Sequence, residues 1–117
     1  MTFKNKYAFN DRKVESDRVL SKYPDRVPII CERSEFPSDK TCPFIDKNKY
    51  LVPKDMTLGQ FLFVIRGRMK IPAEKALFLF VNNRILSSTR MIADIYKTEK
   101  DIDGFLYTTY SYENVFG

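Results

Sequence analysis

The chain has 117 residues, one domain's worth, and 44% of them are hydrophobic, which is enough to build a buried core. It has no histidine and only two cysteines, which removes Ser-His and Cys-His nucleophile pairs, the commonest metal ligand and any four-cysteine zinc site. Its net charge of +5 favours acidic partners, and charged residues at 30% argue against a disordered chain.

The longest unbroken apolar run, Ala76 to Val81, is far short of the roughly 20 residues that a membrane-spanning helix needs. The first ten residues, MTFKNKYAFN, lack the apolar segment of a signal peptide, so the expected address is the cytosol. Cys31 and Cys42 are then expected as reduced thiols. Neither GxGxxG nor GxxxxGK[ST] occurs, and the acidic residues are scattered, so an enzyme is disfavoured and no cofactor or metal is expected.

In chain order, residues 3–22 are charged and helix-friendly, with apolar positions at Phe3, Tyr7, Phe9, Val14, Val19 and Leu20. They predict two short helices, the second capped by Asn10 or Asp11 and ended by Pro24. Val27 to Arg33 is β-branched and follows the turn signal Tyr23-Pro24-Asp25, so it predicts a strand. A loop over 34–46 leads to a shorter strand, Tyr50 to Pro53, whose proline places it at a strand end or a sheet edge. Thr57 to Met69 is the clearest helix, with Thr57 and Gln60 at capping-box spacing and Leu58, Phe61, Leu62, Ile65 and Met69 on the helical period. Leu77 to Asn82 is a continuous apolar run that predicts a central strand. A short helix over Met91 to Lys97 and a strand over Gly104 to Ser111 complete the order. Without the first two helices, β-β-α-β-α-β remains, which fits a small mixed sheet with a helix across one face.

Five stretches carry a family resemblance in collinear order: KYPDRVP at 22–28, KYLVP at 49–53, TLGQF at 57–61 leading into Ile65-Arg66-Gly67-Arg68, ALFLFVNN at 76–83, and DGFLYTTYS at 103–111. Together they resemble the autophagy ubiquitin-like modifiers of the GABARAP and light-chain-3 type, over essentially the whole chain. The resemblance implies an α+β fold, a ubiquitin-like β-grasp with a four-stranded mixed sheet and a packed helix, preceded by two N-terminal helices. It implies one ubiquitin-like domain over 1–117: a helical extension at 1–23, a β-grasp core at 27–111 and a flexible conjugation tail at 112–117.

It implies a function as well. Gly117 would be joined to the amine of phosphatidylethanolamine on autophagosomal membranes by activating and conjugating enzymes, and a cysteine protease would reverse the joining. A residue without Cβ suits a chain end that must thread a narrow active site. Receptor and adaptor proteins would add an aromatic-x-x-aliphatic peptide as a strand beside KYLVP. By position, the aromatic side chain would be held by Glu15, Val19, Pro28, Ile30, Lys49, Leu51 and Phe105, with the Lys49 stem covering it. The aliphatic side chain would be held by Tyr50, Val52, Pro53, Met56, Phe61 and Val64. Arg26, Lys47, Lys49 and Arg68 would meet acidic residues flanking the aromatic. Phe78 and Phe80 form a possible second contact surface, though core packing is the expectation for at least one. For Ile30 and Phe61 core and pocket weigh equally, while for Tyr50 and Leu51 the pocket is favoured.

Three departures from the family pattern stand out. The loop before KYLVP is longer and carries Cys42-Pro43, Leu86 and Ser87 replace the usual paired prolines, and Gly67 replaces the commoner lysine. Two other classes compete with a lipid-conjugated modifier: a ubiquitin-like peptide-binding adaptor that is never conjugated, and a basic nucleic-acid-binding domain. The terminal glycine favours conjugation, and aromatics confined to apolar runs disfavour nucleic acid.

Overall fold

Local signals account for most of the elements. The computed structural model describes residues 1–35 and 39–113. Among them run α1 (Phe3–Lys6), α2 (Phe9–Lys22), β1 (Arg26–Arg33), β2 (Lys49–Pro53), α3 (Leu58–Met69), β3 (Phe78–Val81), α4 (Ile92–Glu99) and β4 (Leu106–Ser111). The capping box of α3 forms in full, with the Gln60 amide donating to the Thr57 hydroxyl and the Thr57 amide donating to the Gln60 side chain. The helix closes at Lys70, whose φ of 55° turns its N–H back onto the Arg66 and Gly67 carbonyls.

The strands order as β2-β1-β4-β3. β1 and β4 run parallel at the centre, and β1–β2 and β3–β4 are antiparallel. This is the mixed sheet of a ubiquitin-like β-grasp with α3 across one face. Pro53 ends β2, and β2 is an edge strand, where a missing backbone donor is tolerated.

Three expectations need correction. The second helix begins at Phe9, with Ala8 in the N-cap position and no side-chain cap, so neither Asn10 nor Asp11 caps it. The apolar run 77–82 is not central: β3 is the opposite edge strand, paired only with β4. Its continuous hydrophobicity reflects burial of both faces, since Leu79, Phe80 and Val81 are 5% exposed or less, and face burial says nothing about edge pairing. Asn82 leaves the strand to share a tight two-residue turn with Asn83, at φ of 49° and 64°, a backbone that asparagine tolerates. Likewise β4 starts at Leu106 because Gly104, at φ 93°, belongs to the turn before it.

Alternation along the strands divides the interior in two. On one face Val27, Ile29, Cys31, Tyr50, Val52, Leu79, Val81, Leu106 and Tyr110 pack against Leu58, Phe61 and Ile65 of α3 and Ile92 and Ile95 of α4. On the other, Phe3, Ile30 and Phe105 form a small cluster with Tyr107 against it, the Phe3 and Phe105 rings meeting edge-on at 5.2 Å. That second face is closed by polar contacts. Asp103 is fully buried; it accepts from Arg12 at 2.5 Å, from the Tyr107 hydroxyl at 2.6 Å and from the Phe105 amide at 2.8 Å. The Ser16 hydroxyl of α2 donates to the Asp103 carbonyl.

The loop after β1 is tied down on its far side. The Tyr110 hydroxyl donates to the Pro43 carbonyl and accepts from the Ile45 amide, each at 2.7 Å. Arg33 donates to the Cys42 carbonyl at 3.0 Å and lies 3.7 Å over the Phe44 ring. Both cysteines are free thiols and buried. Burial pushes the Cys31 thiol up to about 12, and it raises Cys42 as well.

Candidate functional site

Strand β2 exposes the unpaired edge of the sheet, because β1 occupies only its other side. A strand with one free edge presents amide and carbonyl groups to any extended chain laid beside it. Two clefts flank this edge.

The first, about 450 Å³, lies between α2 and β2. It is lined by Glu15, Val19, Pro28, Lys49, Leu51 and Phe105, together with Arg18, Arg26, Lys47 and Tyr50. Pro28 and Leu51 are direct cross-strand partners, as are Ile30 and Lys49, which puts these side chains on one face. Ile30 is fully buried beneath, packed with Phe3 and Phe105. Six of the seven residues named for the aromatic side chain thus converge on the cleft, and the seventh belongs to the core below it. Lys49 is ion-paired with Glu15 across the strand–helix gap and sits 5.7 Å from the Phe3 ring. Opening the cleft therefore means moving a salt bridge rather than a hydrophobic lid.

The second cleft, about 730 Å³, lies beyond the end of β2. Pro53, Met56 and Val64 line it, with Gln60 and Phe63. Tyr50, Val52 and Phe61 do not: they are 8%, 4% and 1% exposed and belong to the main core, with the Tyr50 and Phe61 rings edge-on at 5.7 Å. The alternation of β2 explains the split, since Tyr50 and Val52 point toward α3 and Lys49 and Leu51 toward α2. Burial pushes the Tyr50 hydroxyl up to about 12.

The cations also divide. Arg26 is exposed, and it and Lys47 line the first cleft. Lys47 also stands 5.3 Å over the Tyr50 ring. Arg68, on α3, is engaged in a forked pair with Asp46 at 2.9 and 3.3 Å. It does not share a cleft with the others. Phe78 is half-buried on β3, while Phe80 is fully buried. Gly117 lies outside the described residues.

Two residues escaped the sequence reading. Arg18 follows Glu15 by three on α2 and so shares its face, a helical spacing that would have found it. Phe63 is 77% exposed beside Val64, and an aromatic on the outward face of an otherwise amphipathic helix was the available signal.

The family model described as "Autophagy protein Atg8 ubiquitin like" matches residues 11–117. Autophagy-related protein 8 of Saccharomyces cerevisiae is 52% identical over 116 residues, covering 99% of this chain and 97% of that one. Autophagy-related protein 8c of Arabidopsis thaliana is 53% identical over 116 residues, covering 99% and 95%. The crystal structure of Trypanosoma brucei ATG8 aligns with a TM-score of 0.87 at 41% identity, over 95% of this chain and 93% of that one. The five collinear motifs, the mixed sheet and these matches agree: the chain belongs to the Atg8 family of ubiquitin-like autophagy proteins.

Proposed function

We propose that this chain is an autophagy modifier that is joined through Gly117 to phosphatidylethanolamine and recruits receptors by adding their aromatic-x-x-aliphatic peptides to β2. One observation carries the recognition half: an edge strand with an unpaired side, flanked by a cleft that gathers Val19, Pro28, Leu51 and Phe105 under a ring of cations. Main-chain bonds to β2 would supply affinity, and the clefts at its two ends would supply specificity. The aromatic enters the cleft beside Lys49 and Leu51, and the aliphatic residue enters the one beside Pro53, Met56 and Val64. That order makes the peptide run parallel to β2. Arg26 and Lys47 favour an acidic flank, mainly through steering and selection.

The conjugation half rests on family membership and on the glycine at 117. No helix among the described residues is long and apolar enough to cross a membrane, so membrane attachment would come from the lipid. In this reading the chain is a modifier rather than an enzyme. Its partners are the activating, conjugating and deconjugating enzymes and the motif-bearing receptors, and the lipidated form resides on autophagosomes.

The test is reconstitution with ATP, the cognate activating and conjugating enzymes and phosphatidylethanolamine vesicles, read by mass. A lipid-sized gain that requires Gly117 is the expected result. No gain, with the same enzymes active on a control modifier, overturns conjugation and leaves a peptide-binding adaptor.

A further inference from the structure

A third cleft, about 600 Å³, opens where β1 runs past the start of β2, and no family motif covers it. Glu32, Glu35, Phe44, Asp46 and Asn48 line it. Its charge is opposite to that of the neighbouring peptide cleft. Three carboxylates face one side-chain cation, Arg33, and the amino group of Met1. Arg33 donates through one terminal nitrogen to the Cys42 carbonyl and lies over the Phe44 ring, while its buried Nε has no hydrogen-bond partner among the described residues. Glu32 accepts from the Phe3 amide at 3.0 Å and Asp46 holds Arg68, while Glu35 is exposed. The peptide cleft carries Arg18, Arg26, Lys47 and Lys49 against Glu15 alone. In a chain of net charge +5, an acidic cleft directly beside a basic one is a local inversion.

A second observation marks the same wall. Ser34 lines this cleft at 6% exposure, and its hydroxyl has no hydrogen-bond partner among the described residues. Buried hydroxyls are normally paired, so a polar group that reached this one by displacing the cleft wall would meet an unmet hydrogen bond. Phe44, 75% exposed, adds an aromatic face.

The two clefts are neighbours along β1 and the start of β2, with Phe3 of α1 packed over Ile30 between them. Pro28 of β1 lines the peptide cleft and Glu32, four residues on and on the same sheet face, lines this one. At the rise of an extended strand, four residues span roughly 13 Å. Asn48 lies between Lys47 and Lys49, which line the peptide cleft. A peptide running parallel to β2 must carry its upstream residues toward Asn48 and Asp46.

We propose that this cleft receives the segment of the same receptor peptide that precedes its aromatic anchor, and that it selects a lysine or arginine about four residues upstream of that anchor. The inference rests on the peptide reading above. It makes the preferred ligand charge-patterned: basic, then acidic, then aromatic-x-x-aliphatic. The segment before β2 supplies Phe44 and Asp46 and so contributes to the preference.

The test uses the full chain and fluorescein-labelled peptides that share one acidic, aromatic-x-x-aliphatic core. They carry lysine, alanine or glutamate four positions before the aromatic, and a fourth peptide stops at the core. Lysine should bind about three- to fivefold tighter than glutamate, the range that an exposed ion pair supplies. Glu35→Lys, at an exposed position, should abolish or reverse that order while leaving the core peptide unchanged. Glu32→Gln gives a second variant at the deeper carboxylate. Equal binding of the three longer peptides, or preference for glutamate, overturns the cleft assignment and leaves the peptide reading standing. Failure of the core peptide itself to bind overturns both.

Discussion

The sheet is covered on both faces, but by different chemistry. Toward α3 and α4 the cover is apolar: Phe61, Ile65, Ile92 and Ile95 are each 1% exposed or less and pack on the inward strand residues. Toward α1 and α2 it is a small aromatic cluster sealed by a buried carboxylate, with only Ser16 and Val19 of α2 buried. The first face is a core that any volume-matched set of side chains could approximate. The second depends on specific hydrogen bonds, so it is the face expected to open first. It is also the face that carries the proposed aromatic cleft and its acidic neighbour.

The comparison breaks most visibly in a pair of substitutions. Phe61→Ala empties the α3 face and should cost about 4 kcal/mol of global stability, within the ~3–5 expected for a buried phenylalanine. Arg12→Ala strands the Asp103 carboxylate, whose side chain is fully buried. It should cost about 3 kcal/mol, toward the low end for a broken buried pair because Tyr107 and the Phe105 amide still donate. The two losses should differ in kind. Urea unfolding followed by circular dichroism should show a lower midpoint for Phe61→Ala. Hydrogen exchange should show α1 and α2 opening selectively in Arg12→Ala while β1 and β4 stay protected. Uniform loss of protection in Arg12→Ala would mean that the two faces form one cooperative unit.

A smaller effect sharpens the same contrast at one atom. Gly104 sits at φ 93°, and a Cβ there would collide with the Ser16 hydroxyl and come within 3.0 Å of Ser16 Cβ. Gly104→Ala combines backbone strain of roughly 1–3 kcal/mol with loss of the α2 docking point. The expected outcome is faster exchange in α2 and weaker binding of aromatic-anchored peptides, since Glu15 and Val19 ride on that helix. Unchanged α2 protection would show that Arg12 and Phe3 suffice to hold it.

Most of the α3 side was legible in the sequence, and for a physical reason. The capping box, the helical period of Leu58, Phe61 and Ile65, and the apolar strands each report local burial, which leaves a local pattern. Edge position does not. The run at 77–82 reads as central because both its faces are buried, yet β3 pairs on one side only. The α2 docking was equally hidden: Ser16 and Asp103 are 87 residues apart, and neither type signals burial. At the candidate site, position in the family motif brought six residues to one cleft, but it placed Tyr50, Val52 and Phe61 beside the second cleft, where strand alternation turns the first two into the core and the buried face of α3 takes Phe61 there. The acidic cleft could not be read, because its walls come from the chain start, the end of β1 and the loop before β2.

The smallest expected effect concerns acid. Lys4 donates to Asp101 at 2.6 Å, and the Asp103 amide donates to the same carboxylate at 3.0 Å. Partial burial raises the Asp101 pKa, but the Lys4 and Asp103 hydrogen bonds outweigh it and leave the carboxyl below its ordinary value of 3.8. A depressed folded-state pKa contributes stability above the ordinary carboxylate value and loses it as pH falls through the folded one. The tie between α1 and the 101–104 turn should therefore hold unchanged at neutral and mildly acidic pH and weaken only below the ordinary aspartate range. Because Lys4 is largely solvated, the loss should stay under about 1 kcal/mol. Carboxyl-carbon NMR titration checks the cause. In Lys4→Met the burial contribution is less opposed, so the Asp101 midpoint should move up while other carboxyls stay put. A midpoint indifferent to Lys4 would transfer the effect to the Asp103 amide and the turn itself, leaving the Phe3 ring and the Glu32 contact as the main ties of α1.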